Sequence, residues 1–165
     1  MSAVVVNWPF KVIQGGAAVN PPTVKAKAVS LLAQREYSRQ ELSDKLKAED
    51  ASPEEVEQAL AQLAAKGLVD DARVVETLVN RRSSKLGASR LRQELQAKGV
   101  SADMVAETMA ELKGTELARA RGVWEKKFGL LASSASERNK QARFLASRGF
   151  SGDVVRQVVS GLSED

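Results

Sequence analysis

Apolar residues recur at i, i+4 and i+7 in three separate places along the chain: Val56, Leu60 and Leu63; Val105, Met109 and Leu112; Val155, Val159 and Leu162. That spacing sets each trio on one stripe of a helix, the side a globular helix buries. A shared phrase precedes each stripe. It reads Leu95, Lys98, Gly99, Val100, Ser101, Asp103, Val105 in the middle of the chain and Leu145, Arg148, Gly149, Phe150, Ser151, Asp153, Val155 near its end. A degenerate copy upstream keeps Leu46, Ser52, Glu54 and Val56. Aligned on the leucines, the copies lie 49 and 50 residues apart, and a Leu follows each by 17 positions. A fixed period of this length marks a tandem-repeat chain.

The phrase reads as a joint between two helices. Its Gly can take the left-handed conformation that ends a helix, and its Ser offers a hydroxyl to the unpaired N–H groups of the next one. The acid two residues after the Ser falls in the first turn, where the helix dipole favours negative charge, and Pro53 suits the first helical position of the upstream copy. Each unit has room for two further helices. First helices open at Thr23 (with Val24, Ala28, Leu31 and Leu32), at Asp70 or Asp71 (Val75, Leu78 and Val79) and at Thr115 (Leu117, Trp124 and Phe128). Second helices carry Leu42 and Leu46, Leu91 and Leu95, and Phe144 and Leu145. The pattern predicts an all-α, elongated, modular protein of three tandem three-helix units, at 23–69, 70–114 and 115–165. Residues 1–22, with Gly15-Gly16, Pro21-Pro22 and Lys11 as their one charged side chain, read as a flexible extension. They resemble neither a secretory signal nor a membrane span. Val4 to Val6 is an isolated β-branched run.

Composition narrows the function. The seven aromatic residues among 165 leave Leu, Val and Ala to fill three small cores, which argues against a large ligand cavity. The chain has no His and no Cys, which excludes Ser-His-Asp and thiolate catalysis and the usual zinc sites. No Gly-rich loop leads to Gly-Lys-Ser/Thr, so the usual phosphate-binding loop is missing too. The adjacent acids Asp70-Asp71 could serve acid-base chemistry, but a helix cap after Gly67 explains them more simply. A non-enzyme without cofactor is expected.

Charge is unevenly spread. Residues 23–71 hold 7 basic and 10 acidic side chains, net −3; residues 72–114 hold 8 and 5, net +3; residues 115–165 hold 9 and 6, net +3. The middle unit contains Arg81, Arg82, Lys85, Arg90 and Arg92 without an acid between Asn80 and Gln93. The last contains Arg138, Lys140, Arg143 and Arg148, acid-free from Arg138 to Gly152, with Lys126-Lys127 just upstream. Stacked units would align these residues into a ridge suited to a phosphate backbone or an acidic protein groove. An ordinary solvated helix face gives the same pattern. Neither cluster is interleaved with aromatic residues in the manner of a base-stacking surface.

Four segments in order, Arg35 to Leu42, Gly67 to Arg73, Arg90 to Val100 and Lys140 to Ser151, resemble the RecX family, the bacterial regulators of the RecA recombinase. The resemblance spans about residues 26–160. It implies three tandem three-helix units in a cytoplasmic protein, and a monomer is expected. Such a protein would bind RecA filaments on DNA along their helical groove and restrain their ATPase, strand-exchange and coprotease activities. The basic positions Arg81, Arg90 and Arg92 fall in matching segments. The family often carries aromatic residues where this chain has Val74 and Ala88. Bare single- or double-stranded DNA would be bound weakly and without sequence preference, and no membrane contact is expected. Another class stays open: an autonomous helical DNA-binding module or transcription regulator presenting the helix at 101–113 to the major groove. Ala102, Asp103, Ala106, Glu107 and Glu111 speak against it, since groove reading favours Arg, Lys, Asn or Gln. A scaffold for some other acidic protein is a third reading.

Overall fold

The computed structural model describes residues 21–161, and among these it has nine helices and no strand. They run α1 (Val24–Leu32), α2 (Arg39–Lys47), α3 (Pro53–Ala65), α4 (Asp71–Arg82), α5 (Ala88–Ala97), α6 (Ala102–Lys113), α7 (Glu116–Lys127), α8 (Ala135–Ser147) and α9 (Gly152–Ser160). The most extensively packed helix pairs all join members of one consecutive triplet. The all-α modular architecture expected from the stripes is therefore the observed one. Val4 to Val6, the extension at 1–20 and Leu162 lie outside the described residues.

Each triplet closes around its own core. Leu42, Leu46, Val56, Leu60 and Leu63 are fully buried in the first, and Leu91 and Leu95 in the second. In the third, Leu145 is fully buried beside Val155, Val158, Val159 and Phe150. Of the two positions where the family often has an aromatic, Val74 is buried and Ala88 half-buried.

Most helix starts are capped locally. The Thr23 hydroxyl accepts from Ala26 N–H, and Ser52 and Glu55 form a reciprocal capping box ahead of Pro53. Ser38 and Glu41 form another, while Asp70 accepts from the N–H groups of Ala72 and Arg73. Asp70 is thus the cap that the acidic pair suggested. Gly99 and Gly149 take the left-handed conformation at φ +70° and +86°, as the repeated phrase requires. In the degenerate copy Asp50 fills that place at φ +63°, a conformation that Asp tolerates better than most side chains.

One part of the cap reading is corrected. Ser101 caps α6 through Met104 N–H, but the Ser151 hydroxyl makes no cap bond to α9. It donates instead to the Glu116 carboxylate, 3.3 Å away, which also accepts from Ser151 N–H, so the buried acid holds this side chain toward itself at the α9 entrance. Thr115 precedes α7 but also makes no cap bond. Its hydroxyl donates to Leu112 O, and Gly114 stays right-handed at φ −65°, so α6 bends almost directly into α7.

Adjacent triplets are held by acids that reach backward. Asp71, the first residue of α4, accepts from Arg39 N–H at the start of α2 (2.8 Å). Glu116, the first residue of α7, accepts from Ala88 N–H at the start of α5 (3.1 Å). The second helices of the first two triplets thus receive part of their N-terminal capping from the unit that follows. The Gly turn of that following unit packs on the same helix start. Gly87 N–H donates to Arg148 O (2.9 Å) and Ser89 N–H to Gly149 O (3.1 Å). At the preceding joint the Ser38 hydroxyl donates to Lys98 O, and Gly99 lies against Gln40.

Candidate functional site

The eleven cationic residues singled out in the sequence sit on four helices and two of the turns that follow them. Arg81 and Arg82 end α4, Lys85 follows in the turn, and Arg90 and Arg92 lie on α5. Lys126 and Lys127 end α7, Arg138, Lys140 and Arg143 lie on α8, and Arg148 follows it. All are exposed except Arg148, which is half-buried. Their placement at α4 and α7 C-termini complements the negative ends of those helix dipoles.

The joint between the second and third triplets brings the two clusters together. A side chain on Gly149 would strike the backbone and side chain of Arg90, so the Arg148-Gly149 turn and the start of α5 are in direct contact. The Arg90 side chain donates only to Gln93 (3.4 Å), while the side chains of Arg81, Lys85, Arg92, Arg138, Lys140 and Arg143 make no hydrogen bond or ion pair among the described residues. These side chains keep their charge available to a partner.

Besides Arg90, three residues of the set are engaged internally. Arg82 forms a two-pronged pair with Glu94 across the α4–α5 hairpin (2.6 and 3.1 Å). The hydrogen bonds that the guanidinium donates to that carboxylate hold its pKa above the ordinary value. Arg148 lies over the Phe144 ring at 4.6 Å and gives its carbonyl to Gly87, so it braces the joint. Lys127 lies 6.0 Å from the same ring, and Phe128 meets it edge-on at 5.3 Å. The cluster therefore does hold an aromatic, contrary to the sequence expectation. Phe144 is half-buried and flanked by Arg148, Lys127 and Phe128.

Other residues belong with the site although the sequence did not single them out. Arg35 and Lys98 join Arg81 and Arg82 around a cleft of about 530 Å³ between the first two triplets, above Val74 and Leu78. Lys98 and Arg35 both pair with Glu41, at 3.1 and 3.4 Å. Burial opposes ionisation of Glu41, but Ser38 N–H, Lys98 and Arg35 together outweigh it and hold the carboxyl below its ordinary pKa. Arg119 reaches across the next joint to the carbonyls of Ser83 (3.0 Å) and Leu86 (2.7 Å), capping the end of α4 from α7. Burial lowers its pKa, with Glu116 opposing the shift. The Arg119 contacts are not visible in local sequence, since Ser83 and Leu86 lie 36 and 33 residues away.

Among the described residues no group of three or more His, Cys, Asp or Glu is arranged to hold a metal, and no helix is long and apolar enough to cross a membrane. The arrangement is suited to binding through charge.

Family models match the chain in order: the first three-helix domain of RecX at residues 25–63, the second at 70–109 and the third at 115–159. Several relatives carry the name Regulatory protein RecX. One from Leptothrix cholodnii is 45% identical over 137 residues, covering 83% of this chain and 87% of the relative. Others from Ralstonia nicotianae and Chromobacterium violaceum are 40% identical over 86% and 90% of this chain and 89% and 96% of their own. The crystal structure of RecX from Lactobacillus salivarius has the same fold, with a TM-score of 0.72 over 84% of this chain and 94% of that one at 20% identity.

Proposed function

The chain belongs to the RecX family, a family of regulatory proteins, and on that footing we propose that it is a negative regulator of the RecA recombinase. It binds RecA filaments on DNA in the cytoplasm and restrains their ATPase, strand-exchange and coprotease activities by occupancy, without catalysis of its own. The observation that carries the reading is the ordered match of all three RecX domains. It is supported by the exposure of Arg81, Lys85, Arg92, Arg138, Lys140 and Arg143, whose side chains make no hydrogen bond or ion pair among the described residues.

In this reading the cationic side chains from Arg81 to Arg92 and from Lys126 to Arg148 face the DNA-bearing filament, where an excess of phosphate charge attracts them from a distance. Bare DNA supplies the attraction without the protein contacts, so its binding is weak, indifferent to sequence and steeply salt-dependent.

The test is RecA-catalysed ATP hydrolysis on single-stranded DNA, measured against increasing parent protein and against the variant Arg81→Glu, Lys85→Glu, Arg90→Glu, Arg92→Glu. Arg82 is left in place because its guanidinium holds the α4–α5 hairpin through Glu94. The variant should retain its helicity and need about tenfold more protein, or more, for half-inhibition, because attraction becomes repulsion. Undiminished inhibition by a folded variant refutes the site, and a parent that neither binds nor inhibits its own host's RecA filament refutes the function.

A further inference from the structure

The middle triplet is built differently from its neighbours. α1 with α3, and α7 with α9, are the most extensively packed pairs of their triplets, whereas the corresponding α4 and α6 barely touch. Where that contact would be lies an open cleft of about 360 Å³. Val75 and Thr108, both more than nine-tenths buried, form its floor, and half-buried Val79, Met104 and Leu112 line its walls. The Thr108 hydroxyl is spent on Met104 O (2.7 Å), so the floor presents mainly methyl groups.

The rim is acidic. Glu76 from α4 and Glu107 and Glu111 from α6 are exposed, line the cleft, and make no hydrogen bond or ion pair among the described residues. No Lys or Arg lines it. This is an acid-edged apolar trough within a unit whose net charge is +3. A nucleic acid is repelled by it, so the cleft calls for a different occupant from the cationic ridge.

We propose that the α4–α6 cleft is a docking groove for one amphipathic helix of a protein partner, a helix whose apolar stripe is flanked by Lys or Arg. The charge and the shape both select it. Glu107 and Glu111 stand one helical turn apart along α6 with Glu76 opposite, so a helix laid in the trough meets carboxylates on both sides while inserting apolar anchors at i, i+3 or i+4. Other occupants fit less well. Segment 1–20 carries Lys11 as its one charged side chain, a poor match for three carboxylates. The chain's own basic helix α5 has Leu91 and Leu95 fully buried, so a second copy has no stripe to offer from it.

The experiment titrates the full-length protein into fluorescein-labelled synthetic peptides about 18 residues long, a length that can form a helix. One is a Leu/Lys peptide patterned as an amphipathic helix, one has the same composition scrambled, and one is the Leu/Glu counterpart. The patterned Leu/Lys peptide should bind about tenfold more tightly than the other two, or better. It should shift the methyl resonances of Val75, Val79, Met104 and Leu112. The triple variant Glu76→Gln, Glu107→Gln, Glu111→Gln changes exposed positions only and should keep its helicity while losing that preference, whereas Arg90→Glu should not weaken the binding. Equal binding of the scrambled peptide, or shifts confined to the acidic first unit, overturns the proposal. Movement of the same four methyls with protein concentration alone, or on deletion of residues 1–20, also overturns it by assigning the cleft to a second copy or to the chain's own terminus.

Discussion

Gly87→Ala should part the second triplet from the third without straining the residue it changes. Gly87 lies at φ −79° and ψ 172°, a backbone conformation alanine adopts freely, so no conformational penalty arises there. Space is the obstacle. An added Cβ would overlap the Gly149 carbonyl and the Phe150 nitrogen, both backbone atoms that cannot swing aside. Restoring van der Waals contact needs a displacement of about 1 Å. Movement of that size breaks the Gly87–Arg148 and Ser89–Gly149 bonds, now 2.9 and 3.1 Å, and weakens the Ala88–Glu116 bond, now 3.1 Å. At about 0.5–1.5 kcal/mol for each backbone bond, and more for the one to a carboxylate, the loss comes to about 2–4 kcal/mol.

The assay is urea unfolding, paired with amide exchange at residues 88 and 89. Gly122→Ala is the internal control. Gly122 lies within α7 with nothing within 4 Å of an added Cβ, so the same exchange there should stabilise the protein by about 0.5–1 kcal/mol. If Gly87→Ala leaves stability within about 0.5 kcal/mol of the parent and the Ser89 amide stays protected, the backbone joint is not what holds these units together.

Leu95→Ala and Leu145→Ala remove fully buried side chains from equivalent helices and should each cost about 2–5 kcal/mol in chemical denaturation. Binding of the parent to random-sequence single-stranded DNA should weaken steeply between low and physiological salt, and sequence-selective nanomolar binding at physiological salt would favour an autonomous DNA-binding role instead. Acid should loosen the first joint. The Glu41 carboxyl is held below its ordinary pKa in the folded protein, so the unfolded chain takes up the proton first as pH falls. The stability Glu41 contributes is present above the ordinary glutamate value near pH 4 and is lost as pH drops through the lower folded pKa, and Glu41→Gln should flatten that part of the pH profile.

The periodic features were legible in the sequence because they are local. Val56, Leu60 and Leu63 declare a buried stripe by spacing alone, and all three are fully buried. Gly99 and Gly149 declare a left-handed turn by being the one residue type that takes it without cost. What stayed hidden depends on partners remote in the chain. α5 follows Gly87, which has no side chain to cap it, and the acid that serves it, Glu116, lies 28 residues beyond Ala88. Within the acid-free basic run, Arg82 looks as free as Arg81, yet Glu94 across the hairpin engages it. The α6 stripe of Val105, Met109 and Leu112 resembles its counterparts, but Leu112 is only half-buried because α4 stands away from α6. Periodicity specifies which face turns inward and says nothing about how closely the facing helix approaches.

The two joints also differ in what holds them, and this has a mechanical consequence. Between the first and second triplets, charged contacts predominate: Arg73 with Glu36 at 2.7 Å, both side chains about 40% exposed, and Lys98 with Glu41 at 3.1 Å. The exposed Arg73–Glu36 pair contributes little, the partly buried Lys98–Glu41 pair is screened less, and both weaken with salt. Between the second and third triplets the contacts are backbone hydrogen bonds at Gly87 and Ser89, a buried Glu116 carboxylate, and Arg119 on two carbonyls. Salt screens such buried contacts far less. The cationic residues from Arg81 to Arg148 therefore span the firmer joint and keep a fixed mutual geometry, as the proposed contact with a regular polyanion would require. The acidic first triplet hangs from the softer joint. Raised salt should accordingly speed amide exchange at Arg39, whose N–H is held by Asp71, before it affects Ser89. Equal sensitivity of the two amides would show that the charged contacts do not control the first joint.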